Sequence, residues 1–366
     1  MKAVLVTALS PDLSGVELAE VERPRGEVVV RMRAASLNYP DLLMTRGEYQ
    51  FKPEPPFIAG LEMAGEVVEA APGSGFAVGD RVRGGAKTGA FAEYVALPAS
   101  ALRHMPEGMD FPAAAAMGAA YHTAYVALVE IGGLQAGQTV LVHGASGGVG
   151  LAACDLARAL GARVIAASHR EDKLEMLRAV AQPDAAILNT GRFRENIARL
   201  TDGRLCDLVF DPVGGDVFDE STRCVTFGGK LLVIGFVSGR IPEIAVNIPL
   251  IKGVLGSGHP RRRICEAVSR TRRACRPRDR HAGKRGTDCA ACRLHAAANL
   301  MARSLRTDGL RRQRRQAGPR TVASRWHWHR PRLWRLLRDA AHTKRAAPQD
   351  RPLECRGAAS GIRSRR

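Results

Sequence analysis

The sequence predicts a β-rich module followed by a doubly wound parallel α/β sheet, and then a segment of a different character. Three observations carry this. Short β-rich stretches separated by Gly/Pro clusters fill residues 1–112. Strand-like and helix-like stretches alternate over 113–258. That alternation is lost over 259–366, where arginine dominates.

The chain opens on Met1-Lys2-Ala3-Val4-Leu5-Val6, whose apolar part is too short for a signal peptide and is followed by Pro11-Asp12. It is expected to be a first strand. Further strands are expected at Glu27–Met32, Glu66–Ala70 and Phe91–Ala96. Between them lie the breakers Pro53-Glu54-Pro55-Pro56, Pro72-Gly73-Ser74-Gly75 and Gly84-Gly85. Phe111–Ile131 is the most apolar stretch, but His122, Thr123 and Glu130 interrupt it, so it falls short of the clean run of about 20 residues that a membrane span needs.

In the second module, strands are expected at Thr139–Val142, Arg163–Ala167, Ala185–Leu188, Asp207–Phe210 and Lys230–Ile234. Helices are expected at Val149–Leu160, Glu171–Val180, Phe193–Leu200 and Val217–Val225. Such alternation implies a parallel sheet covered on both faces.

Charge divides at the same place as structure. The 366-residue chain has 55 Lys+Arg and 36 Asp+Glu, a net +19 that suggests a nucleic-acid binder. Residues 261–366 hold 31 of those bases and 7 of those acids, which leaves the first 260 with 24 and 29. The positive charge is thus a property of the tail. All three tryptophans and five of the eight cysteines also lie there. Cys154, Cys206 and Cys224 are too scattered for a disulfide framework or a metal cage, and a reducing cytoplasm is the expected compartment.

The strongest local signal is Val140-Leu141-Val142-His143-Gly144-Ala145-Ser146-Gly147-Gly148-Val149-Gly150. A buried strand enters a glycine-rich turn and a helix follows at once. Glycines let the backbone approach a pyrophosphate, and the helix N-terminus offers unpaired N–H groups. The competing explanation is a tight turn that only packs helix on strand. At the end of the next strand, where an NAD site usually carries Asp or Glu, the chain has Ser168-His169-Arg170-Glu171-Asp172-Lys173. Ser168, Arg170 and Lys173 suit a 2′-phosphate, each charge-assisted bond contributing roughly 1.5–3 kcal/mol. NADPH is therefore the expected cofactor.

Several ordered segments resemble the medium-chain dehydrogenase/reductase superfamily, in its zinc-independent quinone oxidoreductase (zeta-crystallin-like) branch. They are Ser36-Leu37-Asn38-Tyr39-Pro40-Asp41, Arg46-Gly47-Glu48-Tyr49, Gly60-Leu61-Glu62-Met63-Ala64-Gly65, Val78-Gly79-Asp80-Arg81-Val82, the glycine turn, Phe210-Asp211-Pro212-Val213-Gly214-Gly215 and Asn247-Ile248-Pro249-Leu250-Ile251-Lys252-Gly253. The resemblance implies a GroES-like catalytic domain (1–112), a Rossmann domain (113–258) and an active site between them. It implies that Gly147, Gly148, Val149 and Gly150 hold the pyrophosphate, and that Ser168 and Lys173 hold the 2′-phosphate. It further implies Thr123, Gly235 and Phe236 along the ribose and nicotinamide, and Asn38, Asp41 and Tyr49 facing substrate. Thr190 follows Asn189 where that branch often has Tyr beside the adenine.

Zinc-dependent relatives need thiolate and imidazole ligands. No cysteine precedes Cys154, Leu61 stands where those relatives carry a ligand His, and the four-cysteine structural loop is missing. The expected chemistry is metal-free hydride transfer to a quinone, enone or other activated C=C acceptor, with the Tyr49 hydroxyl or Asn38 amide polarising the acceptor oxygen. The family usually dimerises through the edge of the Rossmann sheet, close to where the resemblance stops, so the dimer is in doubt for this chain. Loss of the segment that completes the catalytic domain would give an NADPH-binding protein without turnover.

The tail (259–366) is expected to be largely disordered. Its arginine-heavy composition is what an out-of-frame reading of GC-rich coding DNA produces. Cys289-Ala290-Ala291-Cys292-Arg293-Leu294-His295 resembles part of a zinc knuckle but has no fourth ligand at regular spacing. Runs such as Arg311-Arg312-Gln313-Arg314-Arg315 would bind phosphates at low salt, without expected sequence specificity.

Overall fold

A computed structural model describes residues 1–253 and the backbone of 255–258. The expectations for residues 259–366, disorder, zinc knuckle and nucleic-acid contact alike, lie outside the described residues.

The first module is antiparallel. Its strands are β1 (Lys2–Val6), β2 (Val16–Glu20), β3 (Val28–Ser36), β4 (Phe57–Ile58), β5 (Glu62–Ala70), β6 (Arg81–Gly85), β7 (Tyr94–Leu97) and β8 (Leu102–His104). They form a three-stranded sheet in the order β2-β1-β4 and a five-stranded sheet in the order β7-β3-β5-β6-β8. Val28, Val30, Met63, Val67, Val82 and Leu102 fill the core of the larger sheet. Among the helices not anticipated is α1 (Tyr39–Thr45), which starts at a capping box of Asn38 and Asp41 with a proline in its first turn.

Helices α2 (Phe111–Ala116) and α3 (Gly118–Tyr125) lead into the second module, and a π-helical stretch, Val126–Ile131, follows. Then come β9 (Thr139–Val142), α4 (Gly148–Ala159), β10 (Arg163–Ser168), α5 (Glu171–Val180), β11 (Ala185–Leu188), α6 (Arg194–Leu200), β12 (Cys206–Asp211), α7 (Gly215–Ser221), β13 (Val225–Val233), α8 (Asn247–Lys252) and β14 (Leu255–Gly258). Most expected boundaries in this module shift slightly, and two move further. The helix anticipated to Val225 ends at Ser221, and the strand anticipated from Lys230 starts at Val225. Val225 is β-branched, so a helical reading of its apolar side chain was locally ambiguous.

The six strands are parallel, in the order β11-β10-β9-β12-β13-β14. Successive strand residues point to opposite faces, which explains two cores. Val140, Val142, Val164, Ala166 and Phe210 pack under α3, α4 and α5. Leu141, Ile165, Ile187, Val209 and Leu231 pack under α6 and α7 through Ile197 and Phe218. The chain winds outward from β9 to β11, then crosses back to β12. The strand order therefore reverses between β9 and β12, and in such sheets ligands bind outside the carboxyl ends at that point. No described helix is long and apolar enough to cross a membrane.

Candidate functional site: a dinucleotide cradle and its catalytic-side neighbours

Four strands deliver their C-terminal ends to one rim of the sheet. β9 delivers the turn Gly144–Gly147, β10 delivers Ser168, β12 delivers Asp211–Gly214, and β13 delivers Gly235 and Phe236. Gly144 takes a φ of +54°, and a Cβ there would sit 3.2 Å from Pro212 Cγ, so the turn nests against the neighbouring strand end. Gly150 lets α4 lie on the turn: a Cβ would stand 2.3 Å from the Gly144 carbonyl oxygen. Gly147 and Gly148 are exposed, and a Cβ on Gly148 would meet nothing within 4 Å. The helix N-cap, Gly147, supplies no side-chain cap. The first-turn N–H groups of Gly148, Val149 and Gly150 have no partner within the helix. Such a cradle fits a pyrophosphate.

A buried polar network braces the turn from behind. His143 is fully buried, with Nε2 2.8 Å from Ser221 Oγ and Nδ1 3.0 Å from Asn189 Nδ2. The Ser221 hydroxyl donates to the Val217 carbonyl, 2.6 Å away, so it accepts from His143. The hydrogen bonds thus assign a neutral Nε2–H imidazole, with Asn189 donating to Nδ1. Burial pushes the imidazole down to about 3. Asp211 is also buried: Oδ1 accepts the N–H groups of Val213 and Gly214 at 2.8 and 3.0 Å, and burial raises its carboxyl above the ordinary carboxylate range. It fixes the turn that Phe236 covers, where Gly214 leaves room for the ring.

The end of β10 is built differently. Ser168 is buried at 1 % exposure and its Oγ accepts the Arg170 N–H at 3.3 Å. Arg170 is exposed and its guanidinium forms a two-point pair with Asp172, at 2.9 and 2.5 Å. Lys173 is half-buried in the first turn of α5.

On the other module, Asn38 and Asp41 open α1, with the Asn38 N–H donating to Asp41 Oδ2 at 2.7 Å. The Asn38 amide donates to Ser36 O at 3.4 Å and Glu62 Oε2 at 3.0 Å. Both bonds hold the amide within the protein. Tyr49 is half-buried in the loop after α1. Thr123 lies in α3, which packs on α4 and is tied to it where Tyr121 Oη donates to Asp155 Oδ2 at 2.8 Å. Leu61 is buried, and among the described residues no three His, Cys, Asp or Glu side chains are grouped to hold a metal ion.

Sequence reasoning passed over Glu62, His143, Asn189 and Asp211 as individual residues. A signal existed for two of them. His143 ends an apolar run, and Glu62 sits between Leu61 and Met63; a polar group within a buried strand needs a buried partner.

The sheet's reversal point and the glycine cradle beside it have the form of a dinucleotide site. The chain belongs to the medium-chain dehydrogenase/reductase family, in its quinone oxidoreductase-like branch. Residues 24–107 match the alcohol dehydrogenase GroES-like domain, and 148–262 match the family described as zinc-binding dehydrogenase. A quinone oxidoreductase-like protein 2 homolog from Nematostella vectensis is 39% identical over 235 residues, 63% of this chain and 64% of that protein. The chain thus spans a little under two thirds of that relative's length. Mouse quinone oxidoreductase-like protein 2 is 34% identical over 261 residues, 70% of this chain and 74% of that one. The quinone oxidoreductase of Thermus thermophilus, solved also with NADPH, superposes with a TM-score of 0.62 at 31% identity, covering 77% of this chain and 88% of that one.

Proposed function

We propose that this chain is an NADPH-dependent reductase that delivers hydride to a quinone or activated C=C acceptor without a metal ion. The observation that carries the reading is the open helix N-terminus at the sheet's reversal point, Gly147–Gly150, facing a rim shared with Gly235 and Phe236. The NADPH complex of the Thermus relative supports the choice of cofactor. NADPH supplies the hydride; the protein's part is orientation, dryness and electrostatics.

In this reading the N–H groups of Gly148, Val149 and Gly150 receive the pyrophosphate. Lys173 and Arg170 take the 2′-phosphate, Arg170 exchanging Asp172 for it, while Ser168 shapes the turn beneath. Gly235 and Phe236 line the ribose and nicotinamide on one side and Thr123 on the other. Asp41 organises the start of α1, and Tyr49 is the donor to the acceptor oxygen. With Leu61 in the ligand position, substrates that need a Lewis acid, such as unactivated alcohols, are poor candidates. We further propose 1–112 as the catalytic module, 113–258 as the cofactor module, and the cytoplasm as the compartment.

The test is NADPH oxidation by the full chain with 1,4-benzoquinone or 9,10-phenanthrenequinone, with NADH as control and with and without a chelator. Chelator-insensitive turnover preferring NADPH supports the reading; turnover that needs added zinc overturns it. A second reading, NADPH binding without turnover, draws on the exposed apolar residues Val246, Leu250 and Ile251 (83%, 81% and 70% exposed). Among the described residues no element covers them. Tight NADPH binding with no reduction of any acceptor would favour it.

A further inference from the structure

A carboxylate buried between the two modules has no role in the scheme above. Glu62 begins β5 and is 8% exposed. Burying an ionised carboxylate is costly unless its oxygens are hydrogen-bonded. Both oxygens are engaged, and each by a distant part of the chain. Oε2 accepts the Asn38 amide at 3.0 Å, and Oε1 accepts the Ala119 N–H in a short contact.

The second contact has a geometric cause. Met117, the N-cap of α3, provides no side-chain cap, so the helix begins with unpaired N–H groups and a positive dipole end. Glu62 supplies the missing acceptor and the complementary charge from another element. It reaches the helix because residue 118 is glycine: a Cβ there would stand 2.1 Å from Oε1. The half-buried Arg83 is within electrostatic reach of Glu62: burial pushes its guanidinium down and the Glu62 charge pushes it back up.

We infer that Glu62 is a positioning residue for the proposed reduction: one carboxylate clamps the Asn38 amide, on the substrate side, to the N-terminus of the helix that carries Thr123, on the nicotinamide side. This rests on the reductase reading above. Thr123 lies one helical turn beyond Ala119, so a shift of the helix end moves it directly. The clamp therefore sets the spacing between acceptor and hydride donor, to which transfer is steeply sensitive.

Two substitutions approach the clamp from opposite ends. Glu62→Gln keeps shape but leaves one carbonyl acceptor, so it can serve Asn38 or Ala119 and not both. Gly118→Ala keeps the charge and pushes the carboxylate off the helix. Steady-state turnover, NADPH binding by cofactor fluorescence, and amide exchange at Ala119 are measured for both variants and the parent. Expected are a fall in kcat of about tenfold or more per folded molecule, NADPH affinity within about threefold, and faster exchange at Ala119 in both variants. Lower thermal stability with unchanged kcat would make Glu62 merely structural and overturn the inference, as would unchanged exchange at Ala119. If the parent reduces no acceptor, the reductase reading fails by itself, and the exchange result still decides whether the clamp exists.

Discussion

The two halves of the proposed cofactor rim are specified by different means. At Gly144–Gly150 the work is done by backbone: glycines where a Cβ has no room, a helix end, and a buried imidazole behind. At Ser168–Lys173 it is left to side chains, one buried and one already paired with its own neighbour. Backbone sites are rigid and permit little substitution. Side-chain sites can be retuned by changing one charge. Mutations should separate the halves by how their effects divide between stability and affinity.

The largest effect is expected at Gly150. Alanine there forces a Cβ to 2.3 Å from the Gly144 oxygen, which neither backbone can yield cheaply. Gly150→Ala should cost roughly 2–3 kcal/mol of stability, as overpacking of close-packed elements does, and abolish NADPH binding. Gly148→Ala has open space and is the contrast. Its thermal midpoint should stay close to the parent's, while NADPH affinity falls about tenfold or more because the methyl group occupies the phosphate's approach. Thermal melts paired with cofactor titrations check both. Equal stability losses in the two variants would mean the turn is not packed as described.

The buried imidazole gives the next largest effect. His143 has its folded pKa near 3, against an unfolded value of about 6.5. The unfolded chain therefore binds the proton more readily. The stability that His143 contributes is full above about pH 6.5 and is lost as pH falls toward 3. A drop of roughly 5 kcal/mol across that window is the ceiling for this one group. Denaturant melts from pH 7 to pH 4.5 should show a slope that His143→Phe flattens. The same variant should be less stable at pH 7, by roughly 1–3 kcal/mol for each of Ser221 and Asn189 left unpaired.

Much of this was legible in advance, and the pattern of what was not is physical. Thr139–Val142, Glu171–Val180 and Ala185–Leu188 read correctly to the residue because hydrophobic period and breakers agree there. The glycine turn was readable because glycine spacing encodes backbone geometry. Helix α1 was missed because seven residues behind a Tyr-Pro start show too little periodicity. The clamp on Asn38 was invisible because its partners lie 24 and 57 residues apart in sequence from Glu62. The pairing of Arg170 with Asp172 could not be foreseen either, since either charge alone also suits the start of a helix.

That pairing sharpens the comparison at the ribose end. Asp172 and Arg170 are both exposed, so their bond is screened and easily exchanged for a phosphate. Asp172→Asn should release the guanidinium and remove a carboxylate that repels phosphate. NADPH should then bind several-fold tighter while NADH changes little, and the ratio of the two dissociation constants reads the effect. An unchanged ratio would remove Arg170 from the 2′-phosphate site.

The smallest effect is expected at Ser168. Its side chain is buried, and the bond it accepts from the Arg170 N–H is long at 3.3 Å. The hydroxyl holds the β10–α5 turn in shape more than it reaches outward. Ser168→Ala removes one neutral acceptor, which costs about 1 kcal/mol. NADPH affinity should fall by less than about threefold, against about tenfold or more for Lys173→Ala, whose ammonium makes charge-assisted contact in the proposed complex. If Ser168→Ala instead matched Lys173→Ala, the turn would have to open on binding and offer the hydroxyl to the phosphate. The ribose end would then be a site completed by its ligand, unlike the preformed glycine turn beside it.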